Sequence, residues 1–180
     1  MKHRAMFIKP LFLAIGITLF TNISNAQVAG GSFSAEVKQA YENVKKNLLK
    51  SADKIPDDLY GYMPTADERT VAEVLNHVVE AQTRTCSTVN GGMKAGKADG
   101  KTKADVAAAL KDAFAECDKA YDSLTDANAS EMFKIGKGQR SRLAALTGNI
   151  SHDNEQYGIL SVYMRLKGII PPSSDAVPKR

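Results

Sequence analysis

The sequence predicts an all-α fold, a four-helix bundle, and three observations support this. Four segments carry apolar residues at steps of three and four, which is the spacing of one helix face. No segment shows the apolar-polar alternation that marks a strand. The chain has 180 residues, enough for a single domain with a full hydrophobic core even after an N-terminal leader is removed.

The first 26 residues are organised like a secretory signal peptide, with a basic start, an apolar run and small residues at the cleavage position. These features lie at Lys2, Arg4 and Lys9, at Leu11 to Phe20, and at Ser24-Asn25-Ala26. The run is too short to span a bilayer, and an uncleaved anchor is the alternative. We therefore expect an exported protein, periplasmic or extracellular, without stable membrane insertion.

The charge balance argues against a nucleic-acid-binding function. Without the three basic residues of the leader, the 24 lysines and arginines fall to 21 against 20 acidic residues, a net charge of +1. The rest of the chain has no basic run and no interleaving of basic and aromatic residues, which are typical of nucleic-acid interfaces. The expected partner is a small-molecule substrate or ligand.

The first two helices have clear boundary signals. Helix one is predicted from about Ser34 to Ala52, where a following proline ends the pattern. Helix two is predicted from the capping box at Thr70–Glu73 to about Val89, with a competing box one turn earlier at Thr65–Glu68. The glycine pair after Asn90 stops it.

The last two helices are interpreted in the same way. Helix three opens at Thr102 or Lys103, and its apolar stripe reaches Leu124. Helix four is predicted from about Arg140 to Lys167. Its two internal glycines, Gly148 and Gly158, weaken it and indicate close approach by a neighbouring element.

Three connections join the helices, and none is predicted to contain a strand. They are an aromatic segment at Asp57–Arg69, a lysine-rich segment at Lys94–Lys103 and a polar segment at Asp126–Gln139. We interpret the lysine-rich segment as an exposed, mobile loop, with an anion-binding loop as the alternative. The bundle is assigned to residues 27–174, and residues 175–180 to a flexible tail.

The chain contains two cysteines, Cys86 and Cys117, each on the apolar stripe of a predicted helix. An even pair in an exported protein suggests a disulfide between neighbouring helices, to which chain entropy assigns about 3–4 kcal/mol of stability. Two buried free thiols are the alternative. The wide sequence separation excludes a CxxC redox motif.

The candidate functional residues are two histidines and a glutamine. Once the leader is removed, the chain keeps only His77 in helix two and His152 in helix four. Gln156 follows His152 by four residues and therefore shares its helix face. Imidazole binds zinc, nickel, copper and iron, and bundles can hold ligands on separate helices. The pattern suggests a divalent-metal site, with two polar core histidines as the alternative.

Carboxylates near the histidines could complete such a site. Glu155 is the candidate catalytic base or orienting group, because it lies three residues after His152. Glu73 and Glu80 lie one turn either side of His77, but such helix residues are more often solvated. Tyr157 is either a donor to a developing anion or a core residue.

Three segments resemble the DinB superfamily, and within it the exported DinB-like proteins of bacteria. They are the opening of helix two from Arg69 to His77, the segment His152–Gly158 and the end from Tyr163 to Ser174. The resemblance covers the chain from about Val37 to Ser174. It implies an up-down-down-up bundle with a long crossover connection, and by analogy a homodimer, for which the sequence itself contains no signal.

The resemblance also implies a divalent metal, zinc, nickel or another ion, held by three histidines. Their positions map to His77, His152 and Gln156, so the third ligand departs from the family pattern. Some relatives transfer a low-molecular-weight thiol and others are metal-dependent hydrolases. We therefore expect a hydrolase or transferase with a weakened metal site. The alternative is a non-catalytic, small-ligand-binding or stress-associated bundle without metal.

Overall fold

The computed structural model describes residues 31–94, 96–135 and 137–175, and it has the predicted four-helix bundle. The helices are α1 (Phe33–Lys54), α2 (Val71–Val89), α3 (Lys103–Asp122) and α4 (Arg142–Leu166). All four lie close to their predicted positions. The predicted signal peptide and residues 176–180 of the predicted tail lie outside the described residues. Within the described ranges, no helix has the length and apolar character needed to cross a membrane.

Side-chain caps determine where the helices begin. Thr70 and Glu73 form the predicted capping box of α2, in which each residue accepts a hydrogen bond from the backbone amide of the other. The competing start at Thr65 is not used. Gly168 ends α4 with φ 71°, a left-handed conformation that glycine adopts without strain.

The helices run up-down-down-up. α2 and α3 are parallel neighbours, because Cys86 and Cys117 meet near their C-terminal ends while Asn76, in the first half of α2, donates to the Gly100 carbonyl just before α3 begins. The connection between them must return along the length of the pair. This is the long crossover that the family resemblance implied.

The predicted disulfide joins Cys86 to Cys117, with their Cα atoms 4.9 Å apart. Both cysteines are fully buried, which follows from their place on the apolar stripes of two packed helices. The disulfide therefore links the parallel helices inside the core rather than at the surface.

The crossover packs against α2 more closely than an exposed loop would. The Glu80 carboxylate accepts a hydrogen bond from the Ala98 amide at 3.2 Å. A Cβ added at Gly96 would lie 2.5 Å from the Glu80 carbonyl oxygen, so the two backbones touch at this point. The lysines at positions 97 and 101 remain exposed, as the composition predicts.

A β-hairpin precedes α4, and here the prediction of a connection without strands was wrong. β1 (Met132–Ile135) pairs antiparallel with β2 (Gly138–Ser141), with Phe133 opposite Arg140. Four-residue strands with mostly exposed side chains leave no apolar alternation to detect. The hairpin contacts α2 and α4, and its Arg140 lines a cleft together with residues of both helices.

Candidate metal centre

The two histidines meet between α2 and α4. Their ring centroids are 4.8 Å apart and their planes are inclined by 64°. His77 and His152 come together because α2 and α4 pack antiparallel, which is confirmed by the hydrogen bond from Tyr163 near the end of α4 to the Arg69 carbonyl before α2. The separation is short enough for one ion to reach both imidazoles at the usual metal–nitrogen distance of about 2.1 Å.

Gln156, one turn further along α4, is the candidate for a third metal ligand. Its side chain is 3% exposed, and its Oε1 is buried without a hydrogen bond to any described residue. Both ring nitrogens of His152 are buried and unpartnered in the same way. Since buried polar atoms are normally hydrogen-bonded, this set of donors fits a bound cation.

A metal site with three protein ligands here would need the glutamine amide as its third ligand. The described part of the chain contains no cluster of three histidines, cysteines or carboxylates with the spacing of metal ligands. An amide oxygen is neutral and hard, so it is a poorer ligand for zinc than imidazole. A metal ion bound through these three residues would therefore have two good ligands and one weak one.

Electrostatics keep His77 in its metal-binding form. Burial lowers the pKa of His77, and the neighbouring His152 and Arg69 lower it further, while Glu80 acts in the opposite direction. Neutral imidazole is the form that binds a metal ion. His77 is therefore available as a ligand near neutral pH.

Several side chains that the sequence suggested as members of the site make hydrogen bonds with other parts of the chain. Glu73 caps α2, and Glu80 holds the crossover. Tyr157 donates to the Ser173 hydroxyl at 2.7 Å and accepts from the Ser173 amide at 2.9 Å, so it anchors the segment after α4. Glu155 is exposed on α4, and its catalytic role stays a prediction.

A buried polar network lies behind His152, and sequence reasoning missed it. Asp153 is fully buried, and its Oδ2 accepts from Gln82 at 3.0 Å and from Asn149 at 3.3 Å. Its Oδ1 lies 3.6 Å from His152 Nδ1, beyond hydrogen-bond length but near enough to bias the ring electrostatically. Burial raises the pKa of Asp153 to about 6, against the opposing effect of His152.

One signal in the sequence could have revealed this network. Asn149, Asp153 and Gln156 recur at steps of four and three, so they share one face of α4. A polar stripe of this kind on a helix that is enclosed by other helices points to a buried site rather than to a solvated surface.

Two clefts open beside the histidine pair. One, of about 340 Å³, lies between α2, α4 and the hairpin and is bordered by His152. The other, of about 330 Å³, lies between α2 and the crossover and is bordered by His77. Both are large enough for a small molecule.

Residues 40–160 match the family model of the DinB superfamily. The chain belongs to the DinB superfamily. The match spans more than half of the chain and includes both histidines and Gln156. No curated protein shows significant similarity to this DinB-superfamily chain.

Solved structures share the DinB fold at low sequence identity. A DinB-like protein from Bacillus cereus has 16% identity and a TM-score of 0.66, over 77% of this chain and 95% of that one. A conserved protein from Enterococcus faecalis has 13% identity and a TM-score of 0.61, over 76% and 96%. A DinB-like protein from Bacillus subtilis has 16% identity and a TM-score of 0.59, over 74% and 92%. These similarities establish the four-helix architecture.

Proposed function

We propose that this DinB-superfamily protein is an exported metalloprotein that holds a divalent ion through His77, His152 and Gln156. The observation that carries the proposal is the approach of the two imidazoles to 4.8 Å, and the buried, unpartnered Oε1 of Gln156, one turn after His152 on α4, supports it. Zinc and nickel suit the imidazoles, while the amide lowers the affinity below that of a three-histidine site.

The proposed activity is metal-dependent hydrolysis or group transfer on a small molecule. A bound divalent ion lowers the pKa of water or a thiol and polarises a substrate. The protein contributes the geometry: the Asp153 carboxylate biases the His152 ring from the buried side, and the clefts admit the small molecule. Glu155 is the proposed base or orienting group at the solvent side of α4.

A second candidate is a non-catalytic, stress-associated bundle that binds a small ligand without metal. The residue that favours it is Gln156, because the family pattern has a ligand histidine at this position. The clefts serve this function equally well, since neither requires a metal to admit a ligand.

Export to the periplasm or the outside of the cell is part of the proposal. The disulfide supports it, because disulfides persist in oxidising compartments and are rare in the cytosol. Cell fractionation tests the location, and size-exclusion chromatography with light scattering tests the homodimer proposed by analogy.

Elemental analysis decides between the two functions. Untagged protein expressed from the full sequence and purified without chelator is compared with Gln156→His and with the control Gln39→His, which adds a histidine to the exposed face of α1. We expect a substoichiometric metal content in the wild type and in the control, and close to one ion per chain in Gln156→His.

The other outcomes are equally informative. Metal in Gln156→His alone supports the metal-free second candidate, because it shows that the histidine geometry is intact and only the third ligand is missing. An absence of metal from both the wild type and Gln156→His overturns the proposed site. A higher metal content in Gln39→His than in the wild type indicates nonspecific binding.

A further inference from the structure

We propose that the cleft between α2, α4 and the hairpin binds a small molecule with a carboxylate or phosphate group, and that Arg84 and Arg140 recognise this group. The proposal names the substrate class of the site described above. It rests on the proposed function only in that His152 borders both the metal centre and this cleft.

The two arginines reach the cleft from different elements. Arg84 comes from α2 and Arg140 from β2, and no aspartate or glutamate lines the cleft with them. Among the described residues, neither arginine pairs with a carboxylate, whereas Arg142 pairs with Glu131 at 2.6 Å. Guanidinium groups match carboxylates and phosphates through paired hydrogen bonds, so the cleft suits an anion.

Gly148 gives Arg140 its position. A Cβ added at Gly148 would lie 3.3 Å from the Arg140 guanidinium, which is tighter than ordinary contact. The Arg140 guanidinium therefore lies against α4 at a position where the helix presents no side chain. By contrast, a Cβ at Gly158 would meet nothing within 4 Å, so the close approach that the sequence indicated there does not occur.

Asn149 adds a second recognition element at the inner wall of the cleft. Its side chain is 4% exposed, and its Nδ2 donates inward to Gln82 at 3.1 Å. Its Oδ1 is buried without a partner, although Asn149 lines the cleft. Buried acceptors normally have a donor, so we expect a hydroxyl or amide group of the ligand, next to its anionic group, to reach this atom when the cleft is filled.

The first experiment measures anion binding without metal. Untagged, ¹⁵N-labelled protein is treated with chelator, dialysed and titrated with propionate, lactate and inorganic phosphate, and the arginine Nε–H signals are followed by NMR. We expect saturable shifts of the Arg84 and Arg140 signals. Lactate should bind more tightly than propionate, because its hydroxyl can donate to Asn149. Comparing lactate with phosphate distinguishes a carboxylate from a phosphate ligand.

Substitutions make the test specific. Arg84→Met and Arg140→Met should each weaken binding at least fivefold, while the control Arg165→Met, which removes the same charge from the far end of α4, should leave it unchanged. Gly148→Val should weaken binding by displacing Arg140, and the thermal melting temperature confirms that this variant is folded. Shifts that do not saturate, or equal weakening by Arg165→Met, overturn the proposal.

The result is independent of the metal proposal. If the protein binds anions saturably but never acquires metal, the metalloprotein proposal is rejected and the anion-site proposal stands. If the protein acquires metal but binds none of the three anions, the anion-site proposal is rejected and the metal-centre proposal stands. Equal binding of lactate and propionate rejects the role given to Asn149.

Discussion

Gln82 connects the disulfide to the candidate metal centre. Its Nε2 donates to Asp153, which lies behind His152, and its Oε1 accepts from Asn149 and lies against Cys117. In the sequence it is only a polar residue within an apolar stripe. In the bundle it supplies one hydrogen bond to each of two other buried polar side chains, Asp153 and Asn149.

Replacing Gln82 by leucine should destabilise the protein. Gln82→Leu keeps the side chain large but leaves Asp153 with one donor fewer and removes an acceptor from Asn149. We expect the free energy of unfolding to fall by about 1–3 kcal/mol, measured by urea denaturation. The control Gln39→Leu, on the exposed face of α1, should change it by less than about 0.5 kcal/mol. Equal losses in the two variants would contradict this account.

At the residue scale, the sequence predicted which helix carries a residue better than it predicted which side chains that residue contacts. The spacing of His77 and His152 correctly placed one histidine on each of two helices, and the structure brings them together. Asp153 was missed because single aspartates on helices are usually solvated. Its burial depends on how α2 and α4 pack, and that information is spread over distant parts of the chain.

At the element scale, the crossover is held by backbone contact as well as by side chains. Gly96→Ala would force a Cβ to within 2.5 Å of the Glu80 carbonyl oxygen, where neither backbone can move freely. We expect a loss of about 1–3 kcal/mol in thermal or urea unfolding, similar to overpacking in a core. Gly61→Ala is the matched control, because a Cβ there meets nothing within 4 Å. An equal loss at Gly61 would refute the contact.

Glu116 ties the end of α2 to α3 in a pH-dependent way. It accepts from Asn90 at 2.8 Å and from Lys94 at 3.0 Å, and these hydrogen bonds lower its pKa. A carboxyl with a lowered pKa adds stability above its unfolded pKa, and this stability is lost as the pH falls through the folded pKa. Glu116→Gln should therefore be less stable than the wild type at pH 7, and the difference should shrink as the pH falls through the lowered pKa of Glu116.

Asp112→Asn is the control for this measurement, because it makes the same charge change on the exposed face of α3. Urea unfolding at pH 7 and pH 3 provides the comparison. A difference between Glu116→Gln and the wild type that is equally large at both pH values would show that the hydrogen bonds do not depend on ionisation.

The elements differ in how much of them could be predicted. The helices follow from apolar spacing and capping residues, and the Thr70–Glu73 box gave the start of α2 correctly. The hairpin and the packed crossover could not be predicted, because their contacts are made by the backbone or by exposed side chains. Such contacts leave no periodic pattern of residue types.

At the scale of the whole molecule, we expect the disulfide to provide a large share of the stability. Its loop, residues 86–117, contains the crossover and most of α3, and chain entropy assigns about 3–4 kcal/mol to closing a loop of this length. The double variant Cys86→Ala/Cys117→Ala should show a loss of about this size in urea unfolding. Dithiothreitol should destabilise the wild type and leave the double variant unaffected, and a response of the variant would contradict the assignment.

The crossover and the disulfide together form a covalent ring within the chain. Lys97 and Lys101 are both exposed within this ring. A protease that cut after either lysine would divide the polypeptide into two pieces that the disulfide still joins covalently. The pieces would separate only after both denaturation and reduction. A tag with a protease site, inserted on the exposed side of the crossover, could therefore be cut without separating the two halves of the bundle.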